Sequence, residues 1–385
     1  MDEFAGGGGR RADSRPPLPL LPDDMLVEIL LRLPPEPIHL FRASFVSKHW
    51  RGLVHDARFL RRFREFHGGT PPLLGFFNNQ SGPPLFVPTS DGFPLSTASK
   101  MSTDDWWALD CRHGRALLEK LGSGKLLVWD LVTGDQRYLP LPPAYEGICH
   151  GTVFCAAGHA EHGDCHSCPF MVVYVFSRSD SAICACVWSS ETRVWGEVTS
   201  IVIPSLSVDP KPSALVGRTL YWQLENCSIF EYDLDHHRLG LTEEMPNDAI
   251  CSYAGQIVIM PTKDGLLGLA GVKGLNLHLW SLVQSVDGLA TWTHQRVIDL
   301  ENFLAPEVVA ATYNYLVEAI GFAEDAGVIF IYVCSSVYMI HLKSMQIEEV
   351  SEKGNYGSIL PYTSFYAPGV TIGGGNDQAE MLNNS

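Results

Sequence analysis

The 385-residue chain has no uninterrupted apolar run of about 18 residues, the length that a membrane-spanning helix needs. No membrane span is therefore expected. Basic charge is also short, with 27 Lys and Arg against 43 Asp and Glu, a formal net charge of −16. Phosphate backbones are held by basic surfaces, so nucleic acid is not an expected partner. The shortage is uneven: residues 1–70 hold 11 basic against 9 acidic side chains, and the rest hold 16 against 34. The second part should prefer basic or neutral partners. Met1 to Arg15 lacks the apolar core of a signal peptide, so the ten cysteines are expected as reduced thiols in the cytosol or nucleus. No nucleophile elbow, Walker loop or His-Glu-x-x-His motif is present, and Gly6 to Gly9 neither follows a strand nor precedes Gly-Lys-Ser/Thr. The usual catalytic signatures are thus missing.

What is present begins with helical periodicity between Leu18 and Phe66. Leu26, Ile29, Leu30 and Leu33 fall at i, i+3, i+4 and i+7, one face of a helix. Pro22 suits the first turn, Asp23 and Asp24 favour the positive end of the helix dipole, and Pro34 and Pro35 end the helix. Ile38, Phe41 and Phe45 mark a second helix. Val46, Trp50, Leu53 and Val54 mark a third, and Phe59, Leu60, Phe63 and Phe66 a fourth, laced with arginine. So small a unit buries little apolar surface alone, and it has more large apolar side chains than its own core can hide. It reads as a module that completes its burial against a partner, or as a cap packed on its own protein.

Leu21-Pro22-Asp23-Asp24, Ile29-Leu30, Leu33-Pro34, Phe45-Val46-Ser47-Lys48-His49-Trp50-Arg51, Leu53 and Arg58-Phe59-Leu60 resemble an F-box. That is the segment by which F-box proteins dock on the Skp adaptor of a cullin–RING ubiquitin ligase. Ser47 stands where many relatives carry Cys, and His39 where an aliphatic residue is frequent. The resemblance implies a Skp-docking set of Leu21, Pro22, Leu26, Ile29, Leu30, Leu33, Phe41, Val46, Trp50 and Leu53.

After the turn-forming stretch His67 to Pro72 the pattern changes to short apolar runs broken by Gly, Asp, Ser and Pro, which reads as all-β. A long period emerges. A strand end followed by a polar turn recurs at Trp129, Trp188, Tyr232, Trp280 and Ile340, in steps of 59, 44, 48 and 60 residues. Gly114, Gly217, Gly265 and Gly327 precede four of these by 15, 15, 15 and 13 residues. Four-stranded sheets repeating at this interval are propeller blades, and residues 72–368 have room for five or six. The stretch Tyr356 to Tyr366 should pair with the opening strands near Leu73 to Phe77 and Leu85 to Val87, closing the ring. The aromatic residues of the repeat are expected to pack between blades. A β-sandwich would show turns without this longer period.

Pro72-Leu-Leu-Gly-Phe-Phe77, Asp110-Cys-Arg-His-Gly-Arg115, Leu127-Val-Trp-Asp-Leu-Val-Thr-Gly134 and Leu360-Pro-Tyr-Thr-Ser-Phe365 look like the F-box-associated domain of plant proteins, particularly grass ones. In that family the domain is thought to select the ubiquitination target. The chain lacks the paired glycines of a strict kelch repeat and the Trp-Asp ending of a strict WD repeat, so propeller-like is the apt description.

The densest chemical signal is Cys149 to Cys168, which holds four of the ten Cys and four of the fourteen His. Cys155, His159, His162, Cys165 and Cys168 offer the ligand types of zinc. Their spacing matches no standard zinc signature, and a hairpin loop with incidental cysteines is the preferred reading. Asp104-Asp105 before Trp106-Trp107 offers a carboxylate pair beside aromatics, for which an exposed turn is again preferred. Cys184 and Cys186 alternate along a strand and should be core.

These readings combine into a multidomain chain. A flexible tail (1–17) leads to a small all-α F-box module (18–67), an all-β propeller-like domain (72–368) and a flexible C-terminal tail (369–385). The implied function is a non-catalytic substrate-recognition adaptor. It would bind a Skp-family protein, through it a cullin, and an unnamed target protein, with no cofactor. The alternative is a propeller enzyme or metal-binding module capped by the helices.

Overall fold

The computed structural model describes residues 21–79, 85–89, 106–122, 124–142, 149–157, 165–178, 182–203, 208, 211–224, 228–242, 257–284, 290–312, 316–350 and 354–368. The expected tails, Asp104-Asp105, His159 and His162 lie outside these residues.

Four short helices come first: α1 (Asp23–Leu31), α2 (Pro37–Ser44), α3 (Lys48–Val54) and α4 (Ala57–Phe66). Asp23 and Asp24 occupy the first turn of α1, which stops before Pro34. The Ser47 hydroxyl caps α3 by accepting from the Trp50 amide at 3.1 Å. Asp56 caps α4 by accepting from Arg58 and Phe59 at 2.9 and 3.0 Å. Each cap satisfies amides that the helix itself leaves unpaired. The buried core is Leu26, Leu30, Leu31, Ile38, Leu40, Phe41, Ala43, Val54, Phe59, Leu60 and Phe63, with Val27, Leu33, Trp50 and Leu53 packed at its edge. Ile29, placed on the buried face by periodicity, is exposed, and Leu31 is buried instead. Phe45 and Phe66 also end up outside.

The rest is a six-bladed propeller. Its first blade pairs Trp106–Arg112, Arg115–Lys120, Lys125–Trp129 and Gln136–Pro140 in sequence order. The second uses Cys149–Cys155, Phe170–Ser177, Ala182–Ser189 and Thr199–Val202. The third uses Ala214–Val216, Thr219–Gln223, Ile229–Asp233 and Arg238–Thr242, and the fourth Ile257–Pro261, Leu267–Lys273, Asn276–Gln284 and Ala290–Asp299. The fifth is Val317–Ala323, Val328–Val333, Ser336–His341 and Ile347–Glu349. All pairings within blades are antiparallel.

The sixth blade closes the ring. Ile359–Thr363, from the end of the propeller, pairs with Leu73–Asn78 from its beginning, and Leu85–Pro88 lies outside them. This pairing removes the open edges that a linear row of blades would present. The internal period has a direct structural meaning. Gly114, Gly217, Gly265 and Gly327 have φ between +59° and +73° and make the turn between first and second strands, where a side chain would be strained. In the second blade 14 residues, 156–169, separate the first strand from the second, too many for the same tight turn.

The repeat residues all lie on third strands, and each packs toward the preceding blade. Trp129 joins the sixth and first blades, Trp188 the first and second, and Tyr232 the second and third. Trp280 joins the third and fourth, and Ile340 the fourth and fifth. Burying one such side chain contributes about 1.5–3 kcal/mol. Cys184 and Cys186 are fully buried in the same layer as Trp188.

Candidate functional site

The helical module presents an apolar face that its own core does not cover. Leu21, Met25 and Ile29, four residues apart and so on one face of the α1 end, are about half exposed at 49%, 55% and 47%. Phe45 and Val46, in the turn before α3, are each 61% exposed. His49 and Asp23 meet at 3.0 Å, which sets the start of α3 beside the start of α1 and brings that turn toward Leu21. Five large apolar side chains left exposed on so small a module are more than single scattered surface residues would account for.

The ten expected docking residues therefore divide. Leu21, Pro22, Ile29 and Val46 are exposed; Leu33, Trp50 and Leu53 are partly buried against the core; Leu26, Leu30 and Phe41 lie inside it. Met25 and Phe45 belong to the exposed set although the periodicity did not single them out for docking. Met25 sits one helical turn from both Leu21 and Ile29, which was the available signal.

The module is fixed to the propeller by Tyr366, just beyond the closing strand. Its ring lies in the helical core, and its hydroxyl is 2.9 Å from His55 Nε2 and bonded to Ser44. Burial pushes the Tyr366 phenol up, while burial and Arg51 push His55 down, so both groups are neutral near pH 7.

At the centre of the ring, first-strand residues converge on Arg112. Its guanidinium donates to Asp110 at 3.2 Å, to the Ser213 hydroxyl at 3.0 Å and carbonyl at 2.6 Å, and to Glu324 at 2.5 Å. Asp110 also accepts from the Val153 amide at 3.0 Å, and Thr152 and Ser213 hydroxyls lie 2.6 Å apart. One buried cation thus ties blades one, three and five together, and blade two joins through Asp110 and Ser213. Burial pushes the Asp110 carboxyl up to about 6, with Arg112 only partly offsetting it, and the two carboxylates push Arg112 further up. The pocket beside this cluster has about 40 Å³ of space, room for a few waters.

A second polar chain joins Ser364, His166 and Asp130: Ser364 Oγ lies 3.3 Å from His166 Nε2, and His166 Nδ1 lies 2.5 Å from Asp130. The order matches a hydrolytic triad, but the Ser364 hydroxyl also donates to the Phe365 carbonyl at 3.1 Å, and the adjoining space is about 10 Å³. With its proton on the Phe365 carbonyl, Ser364 does not offer that proton to His166 as a triad serine does. The chain serves instead to hold the first blade, the second-blade insertion and the closing strand together. Asp130 is lowered despite its burial, because His166 and the Thr133 amide favour the carboxylate.

Of the five residues considered for zinc, the structure places Cys155, Cys165 and Cys168, and their sulfurs all lie within 4.8 Å of one another. Arg115 holds the carrying loop by donating to the carbonyls of Cys165 and, at 2.8 Å, Cys168.

A family model described as F-box protein AT5G49610-like, beta-propeller, matches residues 107–369, and an F-box domain model matches residues 18–62. The chain belongs to this F-box propeller family. A plant origin is implied only by the Arabidopsis locus in the family's name. Membership implies a non-catalytic adaptor rather than an enzyme. No match was found among curated proteins. Among solved structures the chain is similar to the extracellular domain of a one-component system, BT4673, from B. thetaiotaomicron, with 12% identity and a TM-score of 0.34. It is also similar to the WD40 domain of SCAP from fission yeast, with 13% identity and a TM-score of 0.36. These likenesses cover 65% and 68% of this chain but only 28% and 57% of those, and they are too loose to carry a functional conclusion. Among the described residues, no helix is long and apolar enough to cross a membrane.

Proposed function

We propose that this F-box protein is the substrate-recognition adaptor of a Skp–cullin–F-box ubiquitin ligase, working in the cytosol or nucleus. The observation that carries the reading is the exposed apolar side chains of Leu21, Met25, Ile29, Phe45 and Val46, on a module whose core is already filled with Tyr366 included. A Skp-family protein covers that face, and the cullin is recruited through it. The propeller holds the target protein, and the rate of ubiquitin transfer then comes from proximity rather than from side chains of this chain. Propeller loops are where target recognition would reside.

The test is a pull-down of the full-length chain with a purified Skp adaptor, followed by mass spectrometry of cell-derived partners. Co-purification of Skp and cullin is expected. A full-length chain that is folded by circular dichroism and fails to retain a Skp adaptor would overturn the proposal.

A further inference from the structure

We propose that Cys155, Cys165 and Cys168 form a three-thiolate site for a soft divalent metal ion, zinc being the leading candidate. The first strand of the second blade ends at Cys155, and the chain returns through Cys165-His-Ser-Cys168 just before the second strand begins at Phe170. The cysteines therefore sit where the chain leaves the blade and where it comes back. The return segment is a tight turn, with the Cys168 amide donating to the Cys165 carbonyl at 3.1 Å, and the Ala156 amide donates across to Pro169 at 2.9 Å. These bonds draw all three sulfurs to within 4.8 Å of one another. Tetrahedral zinc with Zn–S bonds of about 2.3 Å requires sulfur–sulfur separations of about 3.8 Å, so each thiol needs to move by less than about 1 Å.

The surroundings suit a charged cluster. Metal binding displaces one proton from each thiol, leaving a net charge of −1 for a divalent ion with three thiolates. The cation that answers it is Arg115, which is buried, donates to the carbonyls of Cys165, His166 and Cys168, and stacks its guanidinium 5.1 Å from the Phe170 ring. His166 is not the fourth ligand in this arrangement, because both its nitrogens are engaged, by Asp130 and Ser364. The ion would thus be held by three sulfurs, with its remaining position taken by a further donor or water.

The consequence is mechanical. His166 lies between two of the ligands, and through Ser364 it touches the segment that carries Tyr366 into the helical module. Metal loading fixes the His166 loop and so stiffens the base on which the F-box module sits.

The test uses the full-length chain, purified without a histidine tag and in the presence of a non-thiol reductant. Elemental analysis should find about one zinc per chain, and cobalt substitution should give thiolate-to-cobalt charge-transfer absorption. The Cys165→Ser/Cys168→Ser double variant should lose at least nine-tenths of the bound metal and the charge-transfer band, while Cys334→Ser keeps both. Chelation should lower the melting temperature of wild type and leave the double variant unmoved. Wild type that takes up no zinc or cobalt under reducing conditions overturns the proposal. So does metal that persists in the double variant, or a Cys155–Cys165 or Cys155–Cys168 disulfide as the stable form under those conditions.

Discussion

Tyr366 and His55, 311 residues apart in sequence, meet at 2.9 Å where the last propeller segment enters the helical core. The contact makes the F-box module dependent on the far end of the chain. A module of about 45 residues buries too little surface to be secure alone, so one fully buried aromatic from outside weighs heavily in its stability. Tyr366→Ala should remove about 3–5 kcal/mol from the module and largely unfold it. Tyr366→Phe keeps the ring and should cost about 1 kcal/mol. Hydrogen exchange separates the two parts: amides of α1 to α4 should lose protection in the alanine variant while those of the blades keep theirs. Unchanged protection in α1 to α4 would show that the module stands without Tyr366.

The F-box face and the F-box core are separable by mutation. Ile29 and Val46 are exposed and touch little within the chain, whereas Leu30 is fully buried. Ile29→Asp with Val46→Asp should leave the melting temperature within a few degrees of wild type and weaken Skp-adaptor binding by at least tenfold. Leu30→Ala should instead destabilise the module by about 2–5 kcal/mol and weaken binding only through unfolding. Trp50→Ala, at the edge of the core, should cost about 3 kcal/mol divided between stability and binding. Calorimetric titration together with thermal melts distinguishes these outcomes. Wild-type affinity in the double aspartate variant would rule out this face as the docking site.

Much of this architecture is legible in the chain because its cues are local. The blade period shows through Gly114, Gly217, Gly265 and Gly327, since the turn after the first strand demands positive φ. Trp129, Trp188, Tyr232 and Trp280 show because every blade must fill the same gap to its neighbour. Helix periodicity, however, does not tell which apolar stripe faces inward when a helix has two. Ile29 and Leu31 both fit, and only packing against α2 and α4 decides between them. The Arg112 cluster was invisible for another reason. Asp110, Ser213 and Glu324 lie up to 214 residues apart in sequence and are brought together only by ring closure. The meeting of Cys155 with Cys165 across the insertion depends on strand pairing in the same way.

Arg112 is the linchpin of the ring centre because every one of its partners is itself buried or partly buried. Removing it leaves the Asp110 and Glu324 carboxylates with no cation between them. Arg112→Met, which retains the aliphatic stem, should lower propeller stability by about 3–5 kcal/mol. Adding Asp110→Asn should recover part of that loss, since the neutral amide no longer repels Glu324. Equilibrium unfolding in urea measures both, and a loss under about 1 kcal/mol for the single variant would mean that the network contributes little.

His150 gives the propeller a pH dependence whose sign is fixed by burial. Its Nε2 is 3.1 Å from the Val208 carbonyl, so the neutral ring donates there, and burial pushes its pKa down from 6.5 to about 4. As pH falls from 6.5 to 4, the unfolded chain takes up a proton that the folded chain excludes. Stability is therefore lost over that interval, by about 3 kcal/mol in total, and no further loss comes from this group below pH 4. Asp110 works in the opposite direction. Its pKa is raised from 3.8 to about 6, so the folded chain holds a proton that the unfolded chain releases, and stability rises as pH falls from 6 to 3.8. The two effects oppose each other between pH 6 and 4, and a wild-type profile alone would hide both. His150→Gln retains a donor for Val208 and does not titrate, and Asp110 is common to both proteins and cancels in their difference. The stability of wild type minus that of His150→Gln, from urea unfolding at pH 7, 6, 5 and 4, should fall by about 3 kcal/mol across the series. A difference that stays level would mean that His150 is free to take its proton in the folded state.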